Sequence, residues 1–388
     1  MDTNTFYSRP AAGRLRRWLG GLLLLLGLMT GPTVFGQTLD WQSAASVNPQ
    51  PNSGQLDGVG MGTDASGNEY VAGFGHFSAG FKVGFGATQL FINNGSSYVA
   101  ARSAAGAWLW ACTIDNAQVG TLAVNKSTGD VFVSGFRASY ATSNTLTFAN
   151  ATGGGTQTLT LVQNQQFIAK ISAAGTWQWA RFSTDAAGMG PGLSVSSLDV
   201  DAGTGTVYAA GYSGSAILFK DGAGATVLTA PLASGTYNYN GDALVAKLSS
   251  SGQWQWARRL GDHGTQFKSA NGLAAAASSA GGVALGGTFA GSPSCYDASG
   301  QPVSGLGLSS PGGSGLFVAQ LDANGTWQWS RCAENSFSGA AVVSLVRHPT
   351  DNSLYFAATG SATLRDAGGA VVTGAGFTTS GGSYGVAQ

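Results

Sequence analysis

The chain has 388 residues, of which 18 are Lys or Arg and 18 are Asp or Glu, so its formal net charge is zero. Only 9% of the residues are charged, against about 25% in an average globular domain, and this excludes a nucleic-acid binder that works through a basic surface. Apolar residues make up 43% of the chain, which is enough to form a core.

The first 36 residues have the organisation of a secretory signal peptide. Arg9, Arg14, Arg16 and Arg17 precede an apolar run at 19–29, and small residues suitable for cleavage follow, with the cut expected before Gln37. The apolar run is shorter than the roughly 20 residues that a membrane-spanning helix needs. The sequence therefore predicts a secreted or cell-surface protein that is not transmembrane after cleavage.

Export permits disulfides, but the chain has only three cysteines, so disulfides are not the framework of the fold. Cys295 and Cys332 fall in one repeat and are candidates for a pair; the alternative is that these two and Cys112 are all buried thiols. The cysteines and histidines are not clustered with the spacing of zinc ligands, so no zinc site is predicted.

A tryptophan motif recurs five times along the chain. Its copies are LDWQSAA at 39–45, GAWLWAC at 106–112, GTWQWAR at 175–181, GQWQWAR at 252–258 and GTWQWSR at 325–331. Side chains alternate along a strand, so both rings of a Trp-x-Trp pair lie on one face. We expect these rings to pack between neighbouring sheets rather than to form an exposed platform for sugars.

Two further strand patterns recur in a fixed order before each tryptophan motif. In the third repeat they are VYAAGY at 207–212 and LVAKLSSSG at 244–252, and a short strand, LDVD at 198–201, comes first. The stretch between them, such as 217–230, is predicted to be an extra ribbon or a long loop. Four antiparallel strands repeated radially predict an all-β fold, a β-propeller of five four-stranded blades with about 70 residues each. A β-helix is disfavoured because it needs shorter rungs. The repeat units lie near 39–107, 108–176, 177–253, 254–326 and 327–388.

The order of these motifs resembles the SBBP-type β-propeller repeat of secreted bacterial proteins. The resemblance extends over 37–388, although the segments 273–282 and 345–352 depart from the pattern. It implies a propeller and export. That family is not defined by a catalytic residue set, so the resemblance implies no activity.

The two ends of the repeat region complement each other. Gln388 holds the position that Gln320, Lys247 and Lys170 hold seven residues before a tryptophan, and the region begins with an unpartnered tryptophan strand at 39–45. We expect this N-terminal strand to close the fifth blade, because an open sheet edge is prone to unwanted pairing. The alternative is that the chain is the front of a longer array.

An oxygen-bearing side chain follows each tryptophan motif at nearly constant spacing. The set comprises Asn48, Asp115, Asp185, Asp262 and Glu334, and His263 lies beside Asp262. Loops at this position ring the mouth of a propeller channel. The four acidic residues and His263 are therefore the candidate ligand-binding residues, and the four acidic residues and Asn48 are the candidate metal ligands, with Ca²⁺ as the cation that prefers such oxygens. The alternative is that each residue caps its own turn or pairs with Arg181, Arg258 or Arg331.

No catalytic residues are predicted. The GGSYG segment at 381–385 lacks the strand and helix of a nucleophile elbow, and the three histidines share no spacing. The sequence therefore favours a monomeric, non-enzymatic binding or scaffold module whose loops contact a glycan, a surface polymer or a protein, with no nucleic-acid partner. The alternative function is an extracellular carbohydrate-active hydrolase or lyase that uses carboxylates such as Asp185 and Asp262.

Overall fold

The computed structural model describes residues 48–50, 55–76, 81–85, 88–92, 95–139, 141, 143–151, 156–162, 165–188, 190–231, 241–261, 270–279, 281–309, 314–335, 342–348, 351–359, 362–365, 371–377 and 384–387. The described part of the chain contains strands, turns and bends but no helix, and so no helix that could span a membrane. The signal-peptide prediction lies outside these residues.

The strands follow one another in five similar groups. Before the first group comes β1 (Asn48–Gln50). The first group is β2 (Gln55–Thr63), β3 (Glu69–His76), β4 (Phe81–Phe85), β5 (Thr88–Ile92), β6 (Ser97–Arg102) and β7 (Trp108–Asp115). The second is β8 (Ala117–Val124), β9 (Val131–Arg137), β10 (Thr145–Ala149), β11 (Thr156–Thr160), β12 (Gln166–Ile171) and β13 (Trp177–Asp185). The third is β14 (Ser194–Val200), β15 (Val207–Ser213), β16 (Ile217–Lys220), β17 (Thr226–Ala230), β18 (Asp242–Leu248) and β19 (Trp254–Gly261).

The last two groups have five described strands each instead of six. The fourth is β20 (Ala270–Ala277), β21 (Val283–Ala290), β22 (Ser294–Tyr296), β23 (Ser314–Leu321) and β24 (Trp327–Asn335). The fifth is β25 (Val342–Arg347), β26 (Leu354–Thr359), β27 (Ala362–Arg365), β28 (Val371–Phe377) and β29 (Tyr384–Ala387).

Each of the first four repeats forms a four-stranded antiparallel meander, as the motif order predicts. The strand orders are β2-β3-β6-β7, β8-β9-β12-β13, β14-β15-β18-β19 and β20-β21-β23-β24, and the fifth repeat forms β25-β26-β29. The third strands are buried almost along their whole length, because both faces of each sheet are covered. The all-β prediction is confirmed, and the arrangement is compatible with a β-propeller-like fold.

The variable stretches between the second and third strands are hairpins that pair with the sheet of the preceding repeat. The hairpin β10–β11 extends the first sheet at β7, β16–β17 extends the second at β13, and β27–β28 extends the fourth at β24. The single strand β22 takes the same place on β19. We call these segments the inserted hairpins. They add strands to the predicted four, and each one ties a repeat to the sheet before it.

Successive sheets pack face to face in chain order. Buried clusters join the first sheet to the second, the second to the third, the third to the fourth and the fourth to the fifth. The first strands touch in the same order, from β2 through β8, β14 and β20 to β25. Every first strand carries a register shift at the same point, near Val59 in β2 and near Val343 in β25, and a bulge of this kind bends and twists a strand.

Candidate functional site

In the motifs at 106–112, 175–181 and 252–258, the second tryptophan reaches out of its own sheet and donates its ring N–H to a turn of the next sheet. Each of these turns follows a third strand and has the pattern Ser/Asp-x-x-Gly. The bonds run from Trp110 to the carbonyl of Ala173 (2.7 Å), from Trp179 to that of Ser250 (3.0 Å) and from Trp256 to that of Ala323 (3.0 Å). One turn thus covers one ring at each joint between sheets, and buried aromatic rings with a satisfied N–H stabilise such joints.

The glycine that ends each of these turns lies flat on the ring. Gly175, Gly252 and Gly325 have φ between +75° and +78°. A Cβ placed on them would lie 2.9, 2.6 and 2.7 Å from the respective ring. Glycine is therefore required at this position for two reasons, the left-handed backbone and the lack of space for a side chain.

An arginine two residues after the second tryptophan completes the joint. The guanidinium carbons of Arg181 and Arg258 each lie 5.7 Å from the centre of the ring before them. Their Nε atoms donate 2.7 Å bonds to the carbonyls of Gly252 and Gly325. Partial burial lowers the pKa of both arginines, but both stay charged, because an arginine pKa begins so high. The ring N–H and the arginine Nε thus hold two carbonyls of one turn.

In the motifs at 175–181, 252–258 and 325–331, the first tryptophan binds an inserted hairpin instead. Trp177, Trp254 and Trp327 donate to the carbonyls of Ala149, Lys220 and Tyr296 at 2.9 to 3.1 Å. Both members of the pairs at 177–179 and 254–256 are buried, while the residue between them is exposed. These rings are therefore joint residues and not a platform for sugars, as the Trp-x-Trp spacing predicts.

The fourth joint differs from the others. Trp329 is only partly buried, whereas Trp110, Trp179 and Trp256 are 6 to 8% exposed. Beside Trp329 lies a cleft of about 790 Å³, lined also by Gln320, Asp322, Arg347 and Asn352. The motif sequence 325–331 predicts a joint like the others, so the sequence interpretation missed this site. At the other three joints, the turn that covers the second tryptophan comes from the next sheet.

Opposite charges meet near this cleft along the first strands. Asp199 on β14 accepts a 2.7 Å bond from the backbone N–H of Ala277 on β20, which links two sheets. Burial raises the pKa of Asp199, and the nearby charges of Lys126 and Arg347 partly offset that rise. Arg347 on β25 donates to Gln320 Oε1 at 2.6 Å. First strands of several repeats thus bring charged groups close together.

The predicted ring of oxygen ligands is described only in part. Asp262 and His263 lie outside the described residues, and for Asn48 in β1 and Glu334 in β24 only the backbone is described. Asp115 and Asp185 are the last residues of β7 and β13, at the ends of the outer strands where the spacing places them. The described side chains contain no group of three or more His, Cys, Asp or Glu that could hold a metal ion.

The two described carboxylates have different surroundings. The Oδ1 atom of Asp115 is buried and has no hydrogen-bond partner among the described residues. The Oδ2 atom of Asp185 lies over Gly190, where an added Cβ would come within 2.6 Å of it. The backbone carbonyl of Asp185 also accepts a bond from Gly188, so Asp185 belongs to its own turn. This local setting favours the turn interpretation for Asp185 over a shared ligand ring.

A buried ion pair joins the start of β18 to the end of β19 in the third sheet, and the sequence did not predict it. Asp242 and Arg259 are 0% and 3% exposed, and their charged groups are 3.6 Å apart. Arg259 also donates to the carbonyls of Ser213 and Ser215. Gly261 lies so close to the Asp242 carboxylate that only a residue without a Cβ fits there.

The three cysteines are free thiols in the structure. Cys112 and Cys295 are buried, and burial raises the pKa of Cys295 to about 12. Cys332 is partly exposed, and its Sγ bonds to the carbonyl of Ser309 at 3.3 Å. Buried thiols of high pKa are unreactive, so Cys112 and Cys295 act as packing residues.

The chain matches no protein-family model, and a search of curated proteins finds no significant match.

Proposed function

We propose that the protein is a secreted or cell-surface β-propeller of the SBBP-like repeat type, with five blades, that acts as a non-enzymatic binding or scaffold module. The observation that supports this proposal best is the contrast between constant residues at the joints and variable residues in the inserted hairpins. The same tryptophan, arginine and glycine positions recur at successive joints, whereas the inserted hairpins differ in length and surface. A rigid repeated frame that displays variable segments is typical of binding proteins.

The inserted hairpins supply the binding surface in this proposal. On β17 and the segment after β11, Val227 and Val162 are exposed although they are large and apolar. Lys220, at the end of β16, bonds to Thr226 across the hairpin and brings a charge to the same surface. Exposed apolar side chains beside polar ones suit contact with a glycan or a protein surface.

Closure of the ring by the N-terminal strand is supported by two sheets that are incomplete among the described residues. The sheet β1-β4-β5 has an outer strand and an inserted hairpin, and the sheet β25-β26-β29 has the first, second and third strands. Joined between β29 and the segment containing β1, they would make one sheet of the same order as the others.

Two exposed apolar residues support the same closure. Met61 on β2 is 70% exposed, although its equivalents Leu198 and Leu345 are buried. Val346 on β25 is 55% exposed, although its equivalent Ala276 is buried. At the first joint, Leu122 packs on Gly60 and Gly62. By the same geometry, closure would bring β2 beside β25 and cover both exposed side chains.

A disulfide tests the closure. In four sheets the third and outer strands pair small residues: Ala100 with Ala111, Ala169 with Ala180, Ala246 with Ala257 and Ala319 with Ser330. By the repeat alignment, the corresponding pair in the fifth blade is Ala387 with Ala44. The double variant Ala44→Cys with Ala387→Cys, in a Cys332→Ser background, should oxidise to an intramolecular disulfide. The matched control pairs Ala44→Cys with Val386→Cys. It should not oxidise, because a shift of one residue turns the side chains to opposite faces. Equal oxidation of both pairs, or of neither, contradicts closure in this register.

The binding function is tested on residues 37–388 with a panel of immobilised polysaccharides and extracellular matrix proteins. We expect saturable binding to at least one member that is lost when Lys220 and Val227 are both replaced by Ser, with the unfolding temperature unchanged. As a control, Ala223→Ser alters an exposed residue in the turn of the same hairpin and should leave binding intact. Release of reducing ends from any polysaccharide would support the hydrolase or lyase alternative instead. Binding that ignores the hairpin substitutions would refute the proposed surface.

A further inference from the structure

We propose that Asn324 is a site of spontaneous deamidation, and that its isoaspartate product permanently opens the joint between the third and fourth sheets. The joint requires a glycine at position 325. Among the described turns of the pattern Ser/Asp-x-x-Gly, the turn at 322–325 is the one in which an asparagine precedes that glycine. The proposed modification is independent of the binding function of the inserted hairpins.

Asn324 precedes a glycine that the joint cannot exchange for another residue. Gly325 has a φ of +75°, and a Cβ on it would lie 2.7 Å from the Trp256 ring. The residues that precede the glycine in the other three described turns of this pattern have no side-chain amide; they are Ala105, Ala174 and Ser251. In an Asn-Gly pair the next backbone nitrogen reaches the asparagine side chain most easily, because glycine has no Cβ to obstruct the approach. The packing of the joint therefore places a reactive pair in this turn.

The side chain of Asn324 is accessible to water. The residue is exposed and lines an open cleft of about 490 Å³. Within the described part of the chain, its hydrogen bonds are made by backbone atoms. Its N–H donates to Asp322 Oδ1 at 2.9 Å, and its carbonyl accepts a 3.4 Å bond from Arg258. The side-chain amide is thus left to the solvent, where the reaction takes place.

The reaction requires water and no other reagent. The backbone nitrogen of Gly325 attacks Cγ of Asn324, and a C–N bond forms there as the bond from Cγ to the amide nitrogen breaks. The amide nitrogen leaves as ammonia and takes up the proton that the Gly325 nitrogen loses. Water then hydrolyses the cyclic imide at one of its two carbonyls. Cleavage at Cγ gives aspartate, and cleavage at the former backbone carbonyl gives isoaspartate, whose main chain runs through Cβ and Cγ and is longer by a methylene group.

The added methylene group lies between the two carbonyls that hold the turn. Trp256 Nε1 donates to the carbonyl of Ala323 at 3.0 Å, and Arg258 Nε donates to that of Gly325 at 2.7 Å. Lys247 Nζ also donates to the Ala323 carbonyl, at 2.8 Å. Isoaspartate changes the spacing of these acceptors and moves Gly325 from its place on the ring, so the Trp256 ring, 7% exposed in the closed joint, becomes accessible. Aspartate keeps the spacing and leaves the joint closed.

The contacts of the closed joint also slow the reaction. The Gly325 N–H donates to the carbonyl of Asp322 at 3.1 Å, and the Gly325 carbonyl is held by Arg258, so the nitrogen cannot turn freely towards Cγ of Asn324. Attack therefore takes place while the turn is locally open. Because isoaspartate does not fit the closed turn, an opening that leads to reaction is permanent.

The test stores residues 37–388 at mildly alkaline pH and follows Asn324 by peptide mapping and mass spectrometry, which separate it from the Asn-Gly pairs at 94–95, 240–241 and 271–272. We expect isoaspartate to accumulate at Asn324. Arg258→Lys should raise the rate about tenfold, because the loss of a bond from a charged donor favours the open turn by roughly 1.4 kcal/mol. The matched control is Arg181→Lys, the same change at the joint between the second and third sheets, which should leave the rate at Asn324 unchanged.

Opening of the joint is measured by NMR on ¹⁵N-labelled protein, where the indole N–H signal of Trp256 is identified as the one missing from Trp256→Phe. In stored protein we expect a second Trp256 signal whose intensity follows the isoaspartate fraction. Fresh Asn324→Asp, which copies the aspartate product, should keep the original signal, and stored Asn324→Gln should develop no second signal.

Three results would overturn the proposal. The first is an intact Asn324 amide, in wild type and in Arg258→Lys, under conditions in which the free peptide acetyl-Leu-Asp-Ala-Asn-Gly-Thr-amide, a copy of 321–326, deamidates. The second is an equal acceleration by Arg181→Lys and Arg258→Lys, which would mean that the reaction follows global unfolding and not opening of this joint. The third is isoaspartate at Asn324 with an unchanged Trp256 signal.

Discussion

A single methyl group on Gly252 should disrupt the joint between the second and third sheets. Gly252 has a φ of +78°, and a Cβ on it would lie 2.6 Å from Cδ2 of the Trp179 ring. Gly224, in the turn of the hairpin β16–β17, has a φ of +91° but no atom within 4 Å of its Cβ position. The two glycines share the left-handed backbone and differ in the space around them, so Gly224→Ala is the matched control for Gly252→Ala.

The expected magnitudes separate the two effects. A residue with a Cβ in the left-handed region costs about 1–2 kcal/mol, and both substitutions incur this cost. Gly252→Ala also forces an overpacked contact with a buried ring, which costs about 1–3 kcal/mol more. The free energy of unfolding should therefore fall by about 2–5 kcal/mol for Gly252→Ala and by about 1–2 kcal/mol for Gly224→Ala.

The assay is urea unfolding of residues 37–388, followed by far-UV circular dichroism, for both variants with and without Trp179→Ala. Removing the ring removes the overpacked contact, so the difference between the glycine variants should shrink to a few tenths of a kcal/mol in the Trp179→Ala background. If both variants are equally destabilised, or if their difference is unchanged without the ring, the turn at 249–252 does not pack tightly against the Trp179 ring and the reasoning is refuted.

Three further predictions concern other parts of the fold. If closure buries Met61 and Val346, Met61→Ala and Val346→Ala should each lower the unfolding free energy by at least about 1 kcal/mol; values within about 0.5 kcal/mol of wild type in urea titrations would indicate exposed positions. Replacing Asp242 by Asn should cost about 3–5 kcal/mol because Arg259 is left buried without its counter-charge, whereas replacing both by Leu and Met should be far less harmful; equal losses in chemical denaturation would refute this. Burial and a hydrogen bond to a nearby carboxylate raise the pKa of Tyr70 to about 12, so the folded protein holds that proton more tightly than the unfolded chain. Stability should therefore fall as pH rises from about 10 towards 12, and Tyr70→Phe should remove that part of the pH dependence in thermal unfolding scans.

The carboxylate that accepts the hydrogen bond from Tyr70 belongs to Asp64, which caps the turn between β2 and β3. Its Oδ2 accepts a 3.0 Å bond from the Tyr70 hydroxyl, and its Oδ1 accepts bonds from the backbone of Ser66 and Asn68. Burial tends to raise the pKa of Asp64, but these hydrogen bonds outweigh it and lower the pKa. The turn sequence 64–68 predicts this cap, because Asp and Gly at such positions form Asx turns. Its link to a buried tyrosine is a tertiary feature that the turn pattern does not contain.

Local patterns in the sequence determined the strands, their order and their burial. Alternation in the Trp-x-Trp motifs places two rings on one face, and Asp, Asn and Gly between the strand patterns close the turns, because these properties depend only on residues within one strand or turn. That is why a meander such as β14-β15-β18-β19 is predictable from repeat three alone.

The tertiary structure decided which repeat each segment contacts, since pairing between repeats depends on geometry that no local pattern encodes. The inserted hairpins pair backwards with the preceding sheet, and the turn at 249–252 binds Trp179 of the sheet before its own. The spacing of the oxygen-bearing residues along the chain did not show that Asp185 lies within its own turn. Trp329 is partly exposed, although its motif has the same pattern as those of the buried rings.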